Sequence, residues 1–175
     1  MNNVNTGNIS IDDICKLKGL KDAWKYIIDN ICEDLTIEFI KKIHFEIRKC
    51  QDIKSLGEFR EKDVEITGTS WRPKLPNECD YEYELNNILS NPNKLDMCLD
   101  LFCWIQRSQM FLDGNKRVAN LVANKEMIKN GQGIISIPVE LTKEYVIRLI
   151  NYYESGDNSE LKLWLYNNCI EGLEV

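Results

Sequence analysis

Two apolar segments flank the loop sequence Phe111-Leu112-Asp113-Gly114-Asn115-Lys116-Arg117. Residues 95–105 before it and 118–128 after it are apolar on nearly every helical face, a pattern typical of buried helices. Gly114 allows a tight turn or a positive φ, and Asn115 is a good N-cap residue. We therefore predict a tight loop that ends where a second buried helix starts.

The first turn of that second helix has the properties of an anion-binding site. Its unpaired N–H groups and the positive end of the helix dipole favour phosphate, and Lys116 and Arg117 add cationic side chains. The carboxylate of Asp113 repels a bare phosphate, but it can hold a magnesium ion that bridges phosphate oxygens. The loop therefore indicates a site for a nucleotide with Mg²⁺. The alternative is an ordinary Asp-Gly-Asn turn followed by a solvated helical turn.

A wider stretch, from Gln109 to Arg117, resembles the signature of the Fic (Fido) family, His-x-Phe-x-Asp/Glu-Gly-Asn-Gly/Lys-Arg. The resemblance covers nearly the whole chain and implies an all-α fold, a Fic-type helical bundle with a short β-hairpin flap. Family members use the His as a general base and transfer AMP from ATP to Ser, Thr or Tyr hydroxyls of a target protein. By this resemblance, the nucleotide is bound by Gly114, Asn115, Lys116 and Arg117, the metal by Asp113, and the catalytic positions are Gln109 and Arg117.

The chain departs from the family pattern at its first position, where Gln109 replaces the His. A Gln amide cannot act as a general base, although it can orient a ligand through hydrogen bonds. A second departure is Asn120, where AMP-transferring members often carry another Arg. Lys116 is typical of the Doc branch, whose members transfer the γ-phosphate, although that branch also uses the His. The resemblance therefore predicts weakened or altered transfer activity.

Residues 1–30 resemble the N-terminal region that carries an autoinhibitory helix in many Fic proteins. Gly7-Asn8 and Ser10 fit its pattern, but Thr6 stands at the position of the inhibitory Glu and Asn2 at that of the Ser/Thr. The carboxylate that would block the γ-phosphate site is therefore missing. The alternative is an ordinary polar N-terminus.

Residues 57–76 differ in composition from the helical segments around them. They contain Gly and Pro, together with the alternating sequence Val64-Glu65-Ile66-Thr67, which predicts a short β-hairpin. In the Fic family, the corresponding flap lies over the active site and pairs its backbone with the target segment. The resemblance assigns target docking to Val64, Glu65, Ile66 and Thr67, whereas the residues alone also fit an ordinary surface hairpin.

Helical periodicity and capping residues predict the other helices. A first helix starts near residues 10–12, and it either continues or divides into two at Gly19. The lone His44 lies beside the apolar stripe of a second helix and is predicted to be structural. Thr142 is expected to cap a later helix. The predicted ranges after the first helix are 34–50, 79–90, 94–108, 142–153 and 158–168.

Length and composition fit one soluble domain. The chain has 175 residues, and we expect a single domain over residues 1–175. The net charge of -6 argues against general affinity for nucleic acid, and no apolar run reaches the roughly 20 residues that span a bilayer. The seven Cys residues show no metal-binding spacing, which favours reduced thiols. We therefore expect a cytoplasmic protein without a signal peptide or membrane anchor.

Three hypotheses about function follow from these patterns. The chain is a nucleotidyltransferase relative with weak activity, a catalytically inactive module that binds a nucleotide or a partner protein, or a toxin-like regulator paired with an antitoxin. Transfer of label from ATP distinguishes the first hypothesis from the second. Co-purification of a small partner protein supports the third.

Overall fold

The computed structural model describes residues 10–50 and 56–172, which form a helical bundle. The helices are α1 (Ile11–Asp29), α2 (Ile37–Arg48), α3 (Glu78–Leu89), α4 (Lys94–Ser108), α5 (Asn115–Lys129), α6 (Thr142–Ser155) and α7 (Ser159–Asn168). The short elements are a 3₁₀ helix (Val139–Leu141) and the strands β1 (Ile134–Ile135) and β2 (Ile170–Glu171). No helix among these residues combines the length and the apolar character that a membrane crossing requires. The predicted all-α fold is confirmed.

Helix starts largely follow the local sequence signals. The Ser10 hydroxyl caps α1 by accepting a hydrogen bond from a first-turn N–H at 3.0 Å. Thr36 caps α2 in the same way, and Asn77 and Asn93 cap α3 and α4. These side chains satisfy amide groups that every helix start leaves unpaired.

The alternative of a division at Gly19 is excluded, and the predicted cap at Thr142 is wrong. Gly19 does not divide α1, which is continuous; it lies where α1 approaches the backbone of Ile47 in α2 too closely for a side chain. Thr142 does not cap α6, because the preceding 3₁₀ turn places Leu141 at the N-cap position, without a side-chain hydrogen bond. In both cases tertiary packing and local backbone geometry override a residue preference.

Helices α4 and α5 form the centre of the fold. Leu101 of α4 and Val118 of α5 belong to a buried cluster that also includes residues of α1, α2 and α3. Phe102 of α4 and Met127 of α5 belong to a second buried cluster, with residues of α6 and α7. Both halves of the core therefore hold the two helices that flank the loop, and the first cluster also contains Met110 and Phe111 of the loop itself.

An antiparallel strand pair exists, but it lies elsewhere than predicted. β1 pairs with β2, near the C-terminal end of the described chain. Residues 64–67 form no strand within the described structure and lead to a turn at Thr67-Gly68. Their alternation reflects burial instead, because Ile66 packs against the second cluster while Glu65 is exposed. The predicted hairpin at 64–67 is therefore wrong, since alternation specifies a half-buried segment and not its partner.

The seven Cys residues are free thiols, as predicted. Cys98, Cys103 and Cys169 are buried, and burial raises the pKa of Cys98 to about 12. A thiol in such surroundings stays protonated and unreactive at neutral pH. These three residues act as small core side chains.

Candidate functional site

The loop between α4 and α5 has left-handed backbone at both ends. Gln109 follows α4 with φ 47°, and Gly114 precedes α5 with φ 90°. A positive φ is uncommon for any residue except Gly, so Gln109 occupies an unfavourable conformation. A Cβ atom added at Gly114 would lie 3.2 Å from Cδ1 of Ile47. The loop thus requires Gly114 for both its conformation and its close packing on α2.

Asn115 does not cap α5, contrary to the prediction. Gly114 occupies the N-cap position, and the Asn115 amide closes the loop instead. Its Oδ1 accepts a hydrogen bond from the Phe111 N–H at 2.9 Å, and its Nδ2 donates to the Phe111 carbonyl at 2.7 Å. Because Asn115 is only 5% exposed, these bonds satisfy an amide that water barely reaches. The side chain of Asn115 therefore maintains the shape of the loop.

The side chain of Gln109 is held by its neighbours. Its Nε2 donates to the Gln106 carbonyl at 2.5 Å, and its Oε1 accepts from Nδ2 of Asn115 at 3.1 Å. The Gln109 backbone carbonyl accepts a hydrogen bond from Nε of Arg60 at 2.7 Å. An amide in this position can orient a ligand but cannot take up a proton at neutral pH.

Asp113 is an exposed carboxylate that pairs with two Arg side chains. Its Oδ2 accepts hydrogen bonds from Arg48 of α2 and, at 3.3 Å, from Arg117 of α5. Its Oδ1 accepts from the Gly114 N–H at 2.6 Å. Partial burial raises the pKa of this carboxyl, but the hydrogen bonds from Arg48 and Gly114 outweigh burial and hold the pKa below its usual value. Asp113 is therefore ionised at neutral pH.

The two predicted cations lie in the first turn of α5. Lys116 is exposed and Arg117 is half-buried. Arg117 uses Nη2 to bind Asp113, whereas its Nη1 is buried without a hydrogen-bond partner among the described residues. The structure thus brings Asp113, Gly114, Lys116 and Arg117 together at the positive end of the α5 dipole.

His44 packs against the loop, although 69 residues separate it from Asp113 in the sequence. Its ring stacks on Phe111 with the centroids 3.9 Å apart. Nδ1 accepts a hydrogen bond from the Gly57 N–H at 3.1 Å, so Nε2 carries the proton and donates to the Asp113 carbonyl at 3.1 Å. Burial lowers the pKa of His44 to about 4. Both ring nitrogens are therefore engaged, and His44 does not replace the missing base.

Arg60 connects the predicted flap with the loop. It is only 3% exposed, and its backbone N–H donates to the Met110 carbonyl at 3.0 Å. Its guanidinium donates to the backbone carbonyls of Lys62, Pro73, Lys74 and Gln109. One buried side chain therefore holds both ends of the segment 60–74 beside the loop.

Residues 64–67 lie within that segment, between two anchors. The second anchor is Glu154 of α6, whose carboxylate accepts hydrogen bonds from the Thr69 hydroxyl at 2.5 Å and the Ser70 hydroxyl at 2.8 Å. Within the predicted docking stretch, Glu65 and Thr67 are exposed. The structure thus presents this stretch at the surface while fixing the chain on either side of it.

A cavity of about 360 Å³ lies next to the loop without including it. Its walls include Trp71, Tyr81, Trp104 and Tyr152, and none of residues 109–117 lines it. The chemistry of residues 113–117 favours a phosphate, whereas the walls of this cavity mix aromatic side chains with both acidic and basic ones, such as Glu84 and Arg107. We therefore place the candidate anion site at the start of α5 and not in this cavity.

Sequence reasoning missed the roles of Arg48 and Arg60. Arg48 follows His44 by four residues, which places it on the buried side of α2, and a charged residue there usually has a partner. That spacing was a usable signal. Arg60 gave no comparable signal, because it lies in irregular chain where periodicity says nothing about burial.

The sequence model of the Fic/DOC family matches residues 34–127, more than half of the chain. No curated protein sequence matches the chain. Among solved structures, Fic-1 (residues 134–508) of C. elegans is similar, with a TM-score of 0.77 at 19% identity over 92% of this chain and 50% of that one. This chain therefore spans about half of the Fic-1 fragment.

Two bacterial structures are also similar. A Fic domain containing signaling protein from Bacteroides thetaiotaomicron has a TM-score of 0.68 at 25% identity, over 82% of this chain and 59% of that one. The BepC protein of Bartonella tribocorum, a VirB-translocated effector solved with bound AMPPNP, has a TM-score of 0.64 at 14% identity, over 95% and 90% of the two chains. The fold agrees with the sequence match, and the chain belongs to the Fic/DOC family.

Proposed function

We propose that this chain binds ATP with Mg²⁺ at Asp113, Gly114, Lys116 and Arg117 and transfers AMP slowly to a Ser, Thr or Tyr hydroxyl of a target protein. Membership of the Fic/DOC family supports a transferase of this kind. The cationic start of α5 supports the binding of phosphates, because the positive end of the helix dipole and the positively charged side chains lie at the same place. The AMPPNP bound to BepC is consistent with a nucleotide site in this fold.

The residues of the loop fit a magnesium ion only if phosphates complete its shell. Asp113 is the carboxylate of the loop, and no group of three or more metal-binding side chains occurs among residues 10–50 and 56–172. Mg²⁺ is commonly held by one or two carboxylates together with phosphate oxygens. Asp113 would hold the metal, which would neutralise charge on the phosphates.

The observation that carries the proposal of slow transfer is the environment of Gln109. Its amide is bonded to Gln106 and Asn115, and His44 has both ring nitrogens engaged. A general base contributes about 10² to 10⁴ in rate, and neither side chain provides one. Positioning and electrostatic stabilisation by Arg117 and the α5 terminus remain, and such reactions depend largely on these effects.

Residues 64–67 would dock the target. In the described structure they belong to no strand, and Arg60 and Glu154 anchor the chain on either side of them. An extended peptide could add to this segment by backbone hydrogen bonds, which recognise a target without requiring a particular side chain. The target hydroxyl would then approach the loop from the flap side.

The test is incubation of the protein in a lysate with Mg²⁺ and ATP labelled on the α- or the γ-phosphate. We expect weak α-labelling of protein by the natural chain and labelling at least about tenfold stronger by Gln109→His, because the variant restores a base. Gln132→His is the matched control, since it makes the same exchange in the turn after α5. If label is transferred only from the γ-phosphate, the proposal of AMP transfer is wrong, and the chain transfers phosphate in the manner of the Doc branch.

A second candidate function is a catalytically inactive module that binds a nucleotide or a partner protein. The hydrogen bonds of Gln109, Asn115 and Asp113 favour this inactive module, because each of these side chains already has a partner within the protein. No label from either the natural chain or Gln109→His would support this function. A small protein that co-purifies with the inactive chain would support an antitoxin-like partner.

A further inference from the structure

Arg48 is a buried cation that adds positive charge to the site from a second helix. It is 8% exposed and donates to Oδ2 of Asp113 from the end of α2. Arg117 donates to the same oxygen, and the Gly114 N–H donates to the other. Three donors from two helices and the loop therefore converge on one carboxylate.

The charges around this carboxylate are not balanced. Among the described residues, two guanidinium groups, on Arg48 and Arg117, face the single negative charge of Asp113. Nη1 of Arg117 is buried without a hydrogen-bond partner among the described residues. Two guanidinium groups, of which Arg117 has a buried donor to spare, match a ligand that offers several anionic oxygens.

The same geometry conflicts with metal binding by Asp113 alone. A carboxylate has roughly four acceptor positions, and three of those on Asp113 are engaged. If Asp113 turned to a cation, it would leave the buried charge of Arg48 without its anion, which is strongly unfavourable. A phosphate that takes the place of the carboxylate removes this conflict.

We propose that Arg48 is a phosphate-binding residue and that phosphate exchanges with Asp113 on Arg48 and Arg117, releasing the carboxylate to hold the metal. The inference rests on the proposed function, because it assigns a further ligand to the same nucleotide site. Asn120 carries no charge, and its Nδ2 donates to the Ile135 carbonyl at 3.3 Å. Arg48 therefore adds a cation from α2 to the cations in the first turn of α5.

The test is calorimetric binding of inorganic tripolyphosphate and of AMPPNP to the purified full chain, each with and without Mg²⁺. We expect Arg48→Gln to weaken metal-free tripolyphosphate binding about tenfold or more, and Arg48→Lys to weaken it less. Arg148→Gln is the matched control, because it removes a cation that is paired with Glu144 on α6. We expect no change in this control.

The variant Asp113→Asn distinguishes a carboxylate that exchanges with phosphate on the two Arg side chains from one that only binds the metal. If the carboxylate competes with phosphate, its loss strengthens metal-free tripolyphosphate binding several-fold; a carboxylate that serves only the metal leaves metal-free binding unchanged. The double variant Arg48→Met with Asp113→Asn covers the case in which Arg48→Gln does not fold, since it removes Arg48 together with its carboxylate partner and leaves only the half-buried Arg117 without that partner. It should bind tripolyphosphate more weakly than Asp113→Asn alone.

The outcomes distinguish this inference from the proposed function. Equal tripolyphosphate binding by the natural chain and Arg48→Gln would overturn the inference about Arg48. If the natural chain still binds AMPPNP, the proposal of a nucleotide site is retained. Tripolyphosphate binding without AMPPNP binding would retain the role of Arg48 and reject the nucleotide. Absence of binding for both probes would reject both proposals.

Discussion

At the scale of a single residue, His44 makes the stability of the folded chain depend on pH. Its ring is buried against Phe111, and burial lowers its pKa from 6.5 to about 4. The unfolded chain therefore binds this proton at a higher pH than the folded chain does. The contribution of neutral His44 to stability is complete above pH 6.5 and is lost as the pH falls toward 4, by up to about 3 kcal/mol.

The measurement is an NMR titration of the single His, followed by urea denaturation at several pH values. We expect the His44 ring signal to titrate near pH 4. His44→Phe keeps the stacking and removes the ring hydrogen bonds, so at pH 7 it should be less stable by about 1–3 kcal/mol. Between pH 6.5 and 4 the stability of this variant should also fall less than that of the natural chain, because the variant has no His44 to protonate. The carboxylates titrate in both proteins and therefore do not contribute to the difference. A titration near 6.5 would contradict the burial argument.

At the scale of the element, the segment 60–74 owes its position to Arg60. The side chain is buried and bonds to carbonyls at both ends of the segment. Arg60→Gln would leave these carbonyls without their donor, and we expect a loss of about 2–4 kcal/mol in the free energy of unfolding. Hydrogen exchange should become faster in residues 61–74.

Arg72→Gln is the control for that variant. Arg72 lies in the same segment, but its side chain is 53% exposed and pairs with the exposed Glu65. Exposed ion pairs contribute about 0–1 kcal/mol, so stability and exchange should stay close to those of the natural chain. Equal effects of the two substitutions would show that Arg60 is not the anchor.

The contact between α1 and α2 depends on Gly19. A Cβ atom at this position would overlap the backbone carbonyl of Ile47, which cannot move without moving α2. Ala improves helix propensity by about 1 kcal/mol, but we expect the overlap to dominate and Gly19→Ala to destabilise the fold by about 1–3 kcal/mol. Lys18→Ala, on the exposed side of α1, should have little effect. Thermal unfolding of both variants decides between propensity and packing.

At the scale of the whole molecule, α4 and α5 join two hydrophobic clusters. Because these helices contribute side chains to both clusters, we expect residues 10–50 and 56–172 to unfold in one cooperative transition. Leu101→Ala in the first cluster and Leu165→Ala in the second should each cost about 2–5 kcal/mol. Urea transitions followed by tryptophan fluorescence and by circular dichroism should coincide for each variant. Separate transitions would contradict the expectation of a single domain.

The sequence by itself determined the helices, the loop and the family. Helix positions follow from apolar spacing and from caps such as Ser10 and Thr36, which act between residues a few positions apart. The loop at 109–117 carries its own turn and charge signals, and the Fic resemblance read from it is confirmed. Of the expected N-terminal inhibitory region at residues 1–30, residues 1–9, with Asn2 and Thr6, lie outside the described structure, so the inhibitory role stays a prediction.

Only the tertiary structure decided which side chains meet in the site. Arg48 and His44 contact Asp113 in the loop, although 65 and 69 residues separate them from it in the sequence. Asn115, predicted to cap α5, instead closes the loop by hydrogen bonds to Phe111. The strand pair likewise formed between β1 and β2 instead of at 64–67. Periodicity reports which face of a segment is buried, but it does not report which distant group lies opposite that face. The partners of the buried charges therefore depended on how α2 packs against the start of α5.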